Sequence, residues 1–98
     1  MTWEEKLAAC QALSECSLKM RSPGNWYVQQ CGTDITQGSM LVGKYGNGQT
    51  PQQAVEDHWL KLTELAPQEY IVIRAYGEDR LAVKWNGYMW STVNEILK

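Results

Sequence analysis

His58, the only histidine in the 98-residue chain, and its neighbour Asp57 are the residues most able to act as a base and its orienting carboxylate. Successive helix positions point in different directions, so these two side chains do not form a ready-made dyad. Covalent catalysis also needs a nucleophile, a base and an orienting group that converge. The glutamates are scattered rather than paired. We therefore predict a partly buried helix histidine and a protein that is not an enzyme.

Cys10, Cys16 and Cys31, together with His58, are the residues that could hold zinc. Structural zinc sites usually take four ligands in closely spaced pairs, and five residues separate the first two cysteines. We predict small buried thiols instead, with no metal and no cofactor. No stretch approaches the ~20 apolar residues of a membrane span. With no recognisable signal peptide, we expect a cytoplasmic protein.

Gly46, Gly48 and Thr50 approach the start of a predicted helix and form a candidate anion site. Free backbone N–H groups at a helix N-terminus can hold a phosphate or carboxylate. The Gly-Lys-Ser or Gly-Lys-Thr ending of a P-loop is missing, and Pro51 removes one donor. A protein that sequesters a small molecule or nucleotide is one hypothesis. A tight strand-to-helix turn is the other interpretation of the same glycines.

The aromatic residues comprise five Trp and five Tyr with no Phe. Trp and Tyr anchor protein interfaces because they bury a large area and still form a hydrogen bond. Each ring could equally belong to the core. As contact candidates for a protein partner we select Tyr45, Tyr76, Trp85, Tyr88 and Trp90.

Basic residues on the predicted strands offer an alternative, a platform for single-stranded nucleic acid. Cations alternating with tyrosines can stack bases and hold phosphates. The net charge of −2 lacks the basic excess of most nucleic-acid binders. We therefore rank nucleic acid below a protein partner. The residues of this platform are Lys44, Arg74, Arg80 and Lys84, with Tyr45, Tyr70 and Tyr76.

Two helices are predicted from capping signals. Thr2 and Glu5 form a capping box, and apolar residues at helical spacing extend the first helix over Trp3–Met20. Thr50 caps the second helix, with Pro51 at its first position. Pro67 ends that helix.

Five strands are predicted from runs of strand-forming residues. Gly32–Asp34 and Gly46–Gln49 provide turns. The Asn86-Gly87 pair predicts a two-residue hairpin, which places Trp85 opposite Tyr88 and Val83 opposite Trp90. The fold class is α+β, a single domain over residues 1–98 with an antiparallel sheet and the order α-β-β-α-β-β-β. The strands are Trp26–Cys31, Ser39–Tyr45, Tyr70–Tyr76, Arg80–Trp85 and Tyr88–Val93.

The stretch Gly48–Ala54 (GQTPQQA), following Trp26–Val28, resembles the HicB-like antitoxin module, a relative of the double-stranded RNA-binding fold. This resemblance covers less than half of the chain. It implies an antitoxin or RNA-binding module as an alternative function.

The stretch Trp85–Trp90 (WNGYMW), taken with Thr50–Val55, resembles small accessory proteins encoded by phages and prophages. Such proteins commonly bind and disable a host protein, including components of bacterial immunity. The resemblance implies an inhibitor of a bacterial host protein that acts in the host cytoplasm. An edge strand rich in Tyr and Ile also makes a homodimer conceivable.

Overall fold

The computed structural model describes residues 1–37, 40–74 and 80–93. The predicted α+β class, with two helices and an antiparallel sheet, is confirmed, and one strand is added after the first helix. The elements are α1 (Trp3–Leu13), β1 (Cys16–Ser22), β2 (Asn25–Gln37), β3 (Met40–Gly48), α2 (Pro51–Thr63), β4 (Ile71–Arg74), β5 (Arg80–Trp85) and β6 (Trp90–Thr92).

The first helix is shorter than predicted. Its Thr2–Glu5 capping box is present, but the helix ends at Leu13 and Ser14 is extended. Residues Cys16–Ser22 form β1, which pairs antiparallel with β2 from Cys16↔Gln30 to Ser22↔Asn25. The prediction was wrong because a spacing of four residues, as between Cys16 and Met20, fits one face of a strand as well as one face of a helix.

Strand β2 is the centre of the sheet, since β1 and β4 pair along different parts of it and β3 pairs with both parts. The turn predicted at Gly32–Asp34 is instead a bulge inside β2. The β2–β3 register shifts between Gln29 and Asp34, and Gly32 has φ 68°. A bulge of this kind uses glycine where the backbone needs positive φ.

The turn predicted at Gly46–Gln49 is also wrong over most of its length. Gly46 and Gly48 lie within β3, opposite Val28 and Trp26 of β2. The turn chemistry was misleading because these glycines are required by packing: a Cβ on Gly46 would lie 2.3 Å from the Ala54 carbonyl oxygen.

The β5–β6 hairpin forms with a longer loop than predicted. Trp85 pairs with Trp90 and Val83 with Thr92, so four residues rather than two connect the strands. A shift of two residues preserves the alternation of side chains. Val83, Trp85, Trp90 and Thr92 therefore share one face, as predicted, whereas Tyr88 leaves the ladder.

The core lies between α2 and the sheet. Thr50 caps α2 by accepting a hydrogen bond from the Gln53 N–H, and Pro51 occupies its first turn, as predicted. The helix ends at Thr63, before Pro67. Its buried residues are Ala54, Val55, His58, Trp59 and Leu62.

Both helices lie on the same face of the sheet, because the side chain of Gln30 in β2 contacts each of them. Its amide meets His58 of α2 and the Cys10 carbonyl of α1. Neither helix in the described part of the chain is long and apolar enough to cross a membrane.

Candidate functional site

The hairpin tip, residues Asn86–Met89 between β5 and β6, carries the most exposed large apolar side chain of the described residues. Tyr88 is 90% exposed and Met89 is 61% exposed. Isolated exposed apolar residues are ordinary on protein surfaces. Tyr88 and Met89 are adjacent, however, and they lie on a loop whose backbone is held by hydrogen bonds, so together they form a candidate contact surface.

Asn86 holds the backbone of the hairpin tip. Its Oδ1 accepts hydrogen bonds from the N–H groups of Tyr88 (2.8 Å) and Met89 (2.9 Å). Its Nδ2 donates to Ser91 Oγ at 2.8 Å, and its own N–H donates to the Met89 carbonyl at 3.0 Å. Asparagine favours turns because its side chain can bond to the backbone two residues further on. The tip is thus ordered by local hydrogen bonds.

A tryptophan cluster, formed by Trp59, Trp85 and Trp90, supports the hairpin tip. The rings meet edge to face, with centroid separations of 4.8 Å (Trp59–Trp85), 5.9 Å (Trp59–Trp90) and 5.0 Å (Trp85–Trp90). Such aromatic pairs stabilise by more than their buried area alone. The Trp90 Nε1–H also donates to the Ala9 carbonyl of α1 at 2.9 Å. The hairpin is therefore attached to both helices.

The structure separates the five predicted contact residues into different environments. Tyr88 is exposed on the hairpin tip, and Tyr45 is 51% exposed on β3, which pairs with β2 rather than with this hairpin. Trp85 and Trp90 are half-buried in the tryptophan cluster. Tyr76 lies outside the described residues.

Sequence reasoning missed Met89, Asn86 and Trp59 as parts of this site. The Asn86-Gly87 pair was a usable signal for the turn, and Met89 directly follows the selected Tyr88. Trp59 comes from α2, and its place beneath the hairpin follows only from the tertiary fold.

The candidate anion site at Gly46, Gly48 and Thr50 lies where β3 meets α2. Nearby donors are already engaged: the Asn47 N–H donates to Asp57 Oδ2 and the Gln49 N–H to Gln53 Oε1, each at 2.9 Å. A bound anion would have to displace these side-chain oxygens from the two N–H groups, and it would then lie next to the negative charge of Asp57. Burial raises the pKa of Asp57, but hydrogen bonds from Lys61 and Asn47, together with the nearby positive charge of Lys61, lower this pKa overall. Anion binding stays a prediction that this geometry does not favour.

His58 is more deeply buried than predicted, at 1% exposure, and it does not face Asp57. The Asp57 carboxylate accepts hydrogen bonds from Asn47 and Lys61. The His58 Nε2 atom lies 3.0 Å from Gln30 Oε1. In this arrangement the His58 ring bonds to Gln30 and the Asp57 carboxylate to Asn47 and Lys61, so the two side chains form no hydrogen bond with each other.

The cysteines lie near the junction of α1 and the sheet. Burial raises the pKa of Cys10 to about 12 and that of Cys16 to about 11, so both thiols are neutral. Cys31 is half-buried. Within residues 1–37, 40–74 and 80–93, no three His, Cys, Asp or Glu side chains are grouped so as to hold a metal ion.

Comparison of the chain with protein-family models, curated proteins and solved structures found no match.

Replacing Asn86 with Ala should destabilise the protein by about 1 kcal/mol, because two backbone N–H groups lose their shared acceptor. Asn86→Asp is the matched control, since it keeps an oxygen at the Oδ1 position and its second oxygen can accept a hydrogen bond from the Ser91 hydroxyl. It should lose less than half as much stability. Urea unfolding measures both variants. Equal losses would mean that Oδ1 does not order the hairpin tip.

Proposed function

We propose that this protein is a small, non-enzymatic binding protein that attaches to another protein through the hairpin tip. The observation that carries the proposal is the exposure of Tyr88 and Met89 on a loop ordered by Asn86. Binding energy at protein interfaces concentrates in a few large side chains, with tyrosine prominent among them. The hairpin tip offers two such side chains to a partner.

Preorganisation supports this role. A loop that becomes ordered on binding loses conformational entropy, which weakens the complex. The Asn86 hydrogen bonds and the tryptophan cluster already fix the hairpin. Burying a methionine side chain stabilises a complex by about 1.5–3 kcal/mol, and little of that gain is offset by ordering this backbone.

Three described lysines are already engaged by other groups, which lowers the support for nucleic-acid binding, the second hypothesis. Lys19 and Arg21 of β1 form no ion pair within the described residues. Lys6 pairs with Glu56 at 2.6 Å and Lys61 with Asp57 at 2.9 Å. Lys84 donates to the carbonyls of Ala66 and Pro67, each at 3.1 Å. Phosphate binding needs cations that are free to replace counterions. An antitoxin-like or RNA-binding role therefore ranks below protein binding.

We further propose that the partner is a bacterial host protein, modulated or inhibited by a phage- or prophage-encoded protein in the host cytoplasm. The support is the resemblance of Trp85–Trp90 and Thr50–Val55 to accessory proteins of that kind. The hairpin tip lies inside the first of these two stretches. In this mechanism, the inserted tip blocks a functional surface of the partner and no bond is made or broken.

Changing the hairpin tip should remove partner binding without unfolding the protein. The test compares the natural protein with the double variant Tyr88→Ser, Met89→Ser in a pull-down from bacterial lysate at physiological salt. We expect the double variant to bind the recovered partner at least about 30-fold more weakly, the effect of losing a binding hot spot. The dissociation constant of the purified pair measures this.

Leu60→Ser is the matched control, because Leu60 is 48% exposed on α2 and is also apolar. It should bind like the natural protein. Unfolding midpoints should agree among all three proteins. Recovery of RNA with a steep salt dependence would favour the second hypothesis. Equal binding by the tip variant and the natural protein would contradict the proposal.

A further inference from the structure

Asparagine followed by glycine occurs twice in the chain, at Asn47-Gly48 and at Asn86-Gly87. In such a pair the backbone nitrogen of glycine can attack the side-chain carbonyl carbon of asparagine, because glycine has no Cβ to hinder the approach. The attack is intramolecular and closes a five-membered ring, so little entropy is lost in bringing the two groups together. The fold gives the two pairs different surroundings, and this difference decides which of them can react.

The Asn47-Gly48 pair is held in place by the sheet and by α2. It lies in β3, where Asn47 pairs with Tyr27 and Gly48 with Trp26 of β2. Gly48 also packs against α2, since a Cβ there would lie 2.5 Å from Ala54 N. Ring closure requires rotation of the backbone between the two residues. A strand that is paired and packed against a helix resists this rotation.

The Asn86-Gly87 pair is exposed on the hairpin tip. Gly87 has φ 103°, and a Cβ on it would meet nothing within 4 Å. Its N–H donates no hydrogen bond to the described residues. The Gly87 nitrogen is therefore accessible to the hydroxide that removes its proton, and it lies outside the β5–β6 ladder.

The hydrogen bonds to Asn86 favour attack at its Cγ atom and do not block it. The N–H groups of Tyr88 and Met89 donate to Oδ1 at 2.8 Å and 2.9 Å. Hydrogen bonds to a carbonyl oxygen lie near the plane of the carbonyl group, whereas a nucleophile approaches the carbon from above that plane. When the Gly87 nitrogen adds to Cγ, negative charge develops on Oδ1. Two donors already directed at this oxygen stabilise that charge.

We propose that Asn86-Gly87 is a site of spontaneous covalent modification, which converts Asn86 to aspartate and isoaspartate and leaves Asn47 intact. The Gly87 nitrogen loses its proton to hydroxide and forms a bond to Asn86 Cγ. The bond between Cγ and Nδ2 then breaks, and the leaving nitrogen takes a proton from water and departs as ammonia. Water opens the resulting succinimide at either of its carbonyl carbons. The whole sequence consumes one water and releases one ammonia, with no change in oxidation state.

The two products affect the hairpin tip differently. Opening at Cγ gives aspartate, which keeps the backbone and an oxygen at the Oδ1 position. Opening at the main-chain carbonyl gives isoaspartate, in which the chain runs through Cβ and Cγ and gains one backbone atom. The former Oδ1 carbonyl is then part of the main chain, so the bonds from the Tyr88 and Met89 N–H groups lose their geometry. Isoaspartate at position 86 therefore disorders the tip.

Peptide mapping by mass spectrometry tests the proposal on the full chain during incubation in mildly alkaline buffer. Deamidation raises the mass of the peptide that carries it, so the two pairs are measured separately. We expect Asn86 to react at least about tenfold faster than Asn47 in the folded protein, because a local opening that costs about 1.4 kcal/mol already lowers a rate tenfold. The rate at Asn86 should rise with pH, since hydroxide removes the Gly87 proton.

The chain unfolded in urea is the control, and both pairs should react there at similar rates because glycine follows each asparagine. Asn47→Gln should leave the release of ammonia from the folded protein nearly unchanged, and Asn86→Asp should remove most of it. The proposal is overturned if Asn47 reacts as fast as Asn86 in the folded protein. It is also overturned if Asn86 stays intact there while the unfolded chain reacts.

The effect on the hairpin tip is measured on the purified isoaspartyl form. Hydrogen exchange should show that the Tyr88 and Met89 amides lose protection, whereas Asn86→Asp keeps it. The isoaspartyl form should also bind the recovered partner at least about tenfold more weakly, and this result alone rests on the proposed function. Modification of Asn86 with unchanged binding would contradict the tip as the contact surface and leave the modification site established.

Discussion

Gly46→Ala is expected to destabilise the protein by at least about 3 kcal/mol, the upper range for overpacking a core. A Cβ at this position would lie 2.3 Å from the Ala54 carbonyl oxygen, 2.4 Å from His58 Cβ and 2.8 Å from His58 N. Two of these atoms belong to the backbone of α2, so the helix itself would have to move. Urea denaturation gives the change in the free energy of unfolding.

Gly24→Ala is the control for this prediction. Gly24 has φ 73° in the β1–β2 turn, and a Cβ there would meet nothing within 4 Å. The variant should lose about 1–2 kcal/mol, the penalty of the left-handed conformation alone. Gly48→Ala should behave like Gly46→Ala, since its Cβ would lie 2.5 Å from Ala54 N. If Gly46→Ala were no worse than Gly24→Ala, close contact of β3 and α2 would be refuted.

Trp59→Ala is expected to lose about 3–5 kcal/mol, the usual range for removing a large buried ring. Trp59 is 7% exposed, and its ring packs edge to face on both Trp85 and Trp90. Its removal therefore opens a cavity beneath the hairpin. Urea denaturation measures the loss, and the near-ultraviolet circular dichroism of the tryptophan cluster should weaken with it.

Leu60→Ala provides the comparison, because Leu60 is the next residue along α2 and is 48% exposed. The Leu60→Ala substitution should change the free energy of unfolding by no more than about 0.5 kcal/mol. Trp59→Phe keeps a ring in the cluster and should fall between the two. A loss of under about 1 kcal/mol in Trp59→Ala would show that Trp59 does not support the hairpin.

Sequence motifs predicted the parts of the fold that are set by residues close together in the sequence. The Thr2–Glu5 capping box and the N-cap Thr50 marked both helix starts correctly, because caps are set within one turn. The end of the first helix was wrong because Cys16–Ser22 obtains its hydrogen bonds from β2. Such pairing depends on residues that follow the segment, so helical spacing alone could not reveal it.

The hairpin was predicted in part. Tyr88 was selected with Tyr45, Tyr76, Trp85 and Trp90 as a contact candidate, and the alternation of side chains across the hairpin was right. The loop length was wrong, because the hydrogen bonds of Asn86 favour a four-residue connection over the two-residue turn. That difference moves Tyr88 from the ladder to the exposed hairpin tip.

The His58–Gln30 connection could not be read from the sequence. It joins α2, β2 and the end of α1. Gln30 is 28 residues from His58 and 20 residues from Cys10 along the chain. A lone histidine on a helix is compatible with many environments. Only the packing of the helices on the sheet defines this one.

Photo-crosslinking tests the role of the hairpin tip most directly. A benzophenone amino acid replaces Tyr88 in one protein and Leu60 in another, and each is irradiated with bacterial lysate. The protein with the probe at position 88 should form a covalent adduct with one defined partner, and the protein with the probe at position 60 should not. An adduct from position 60 with none from position 88 would place the binding surface elsewhere and contradict the proposed function.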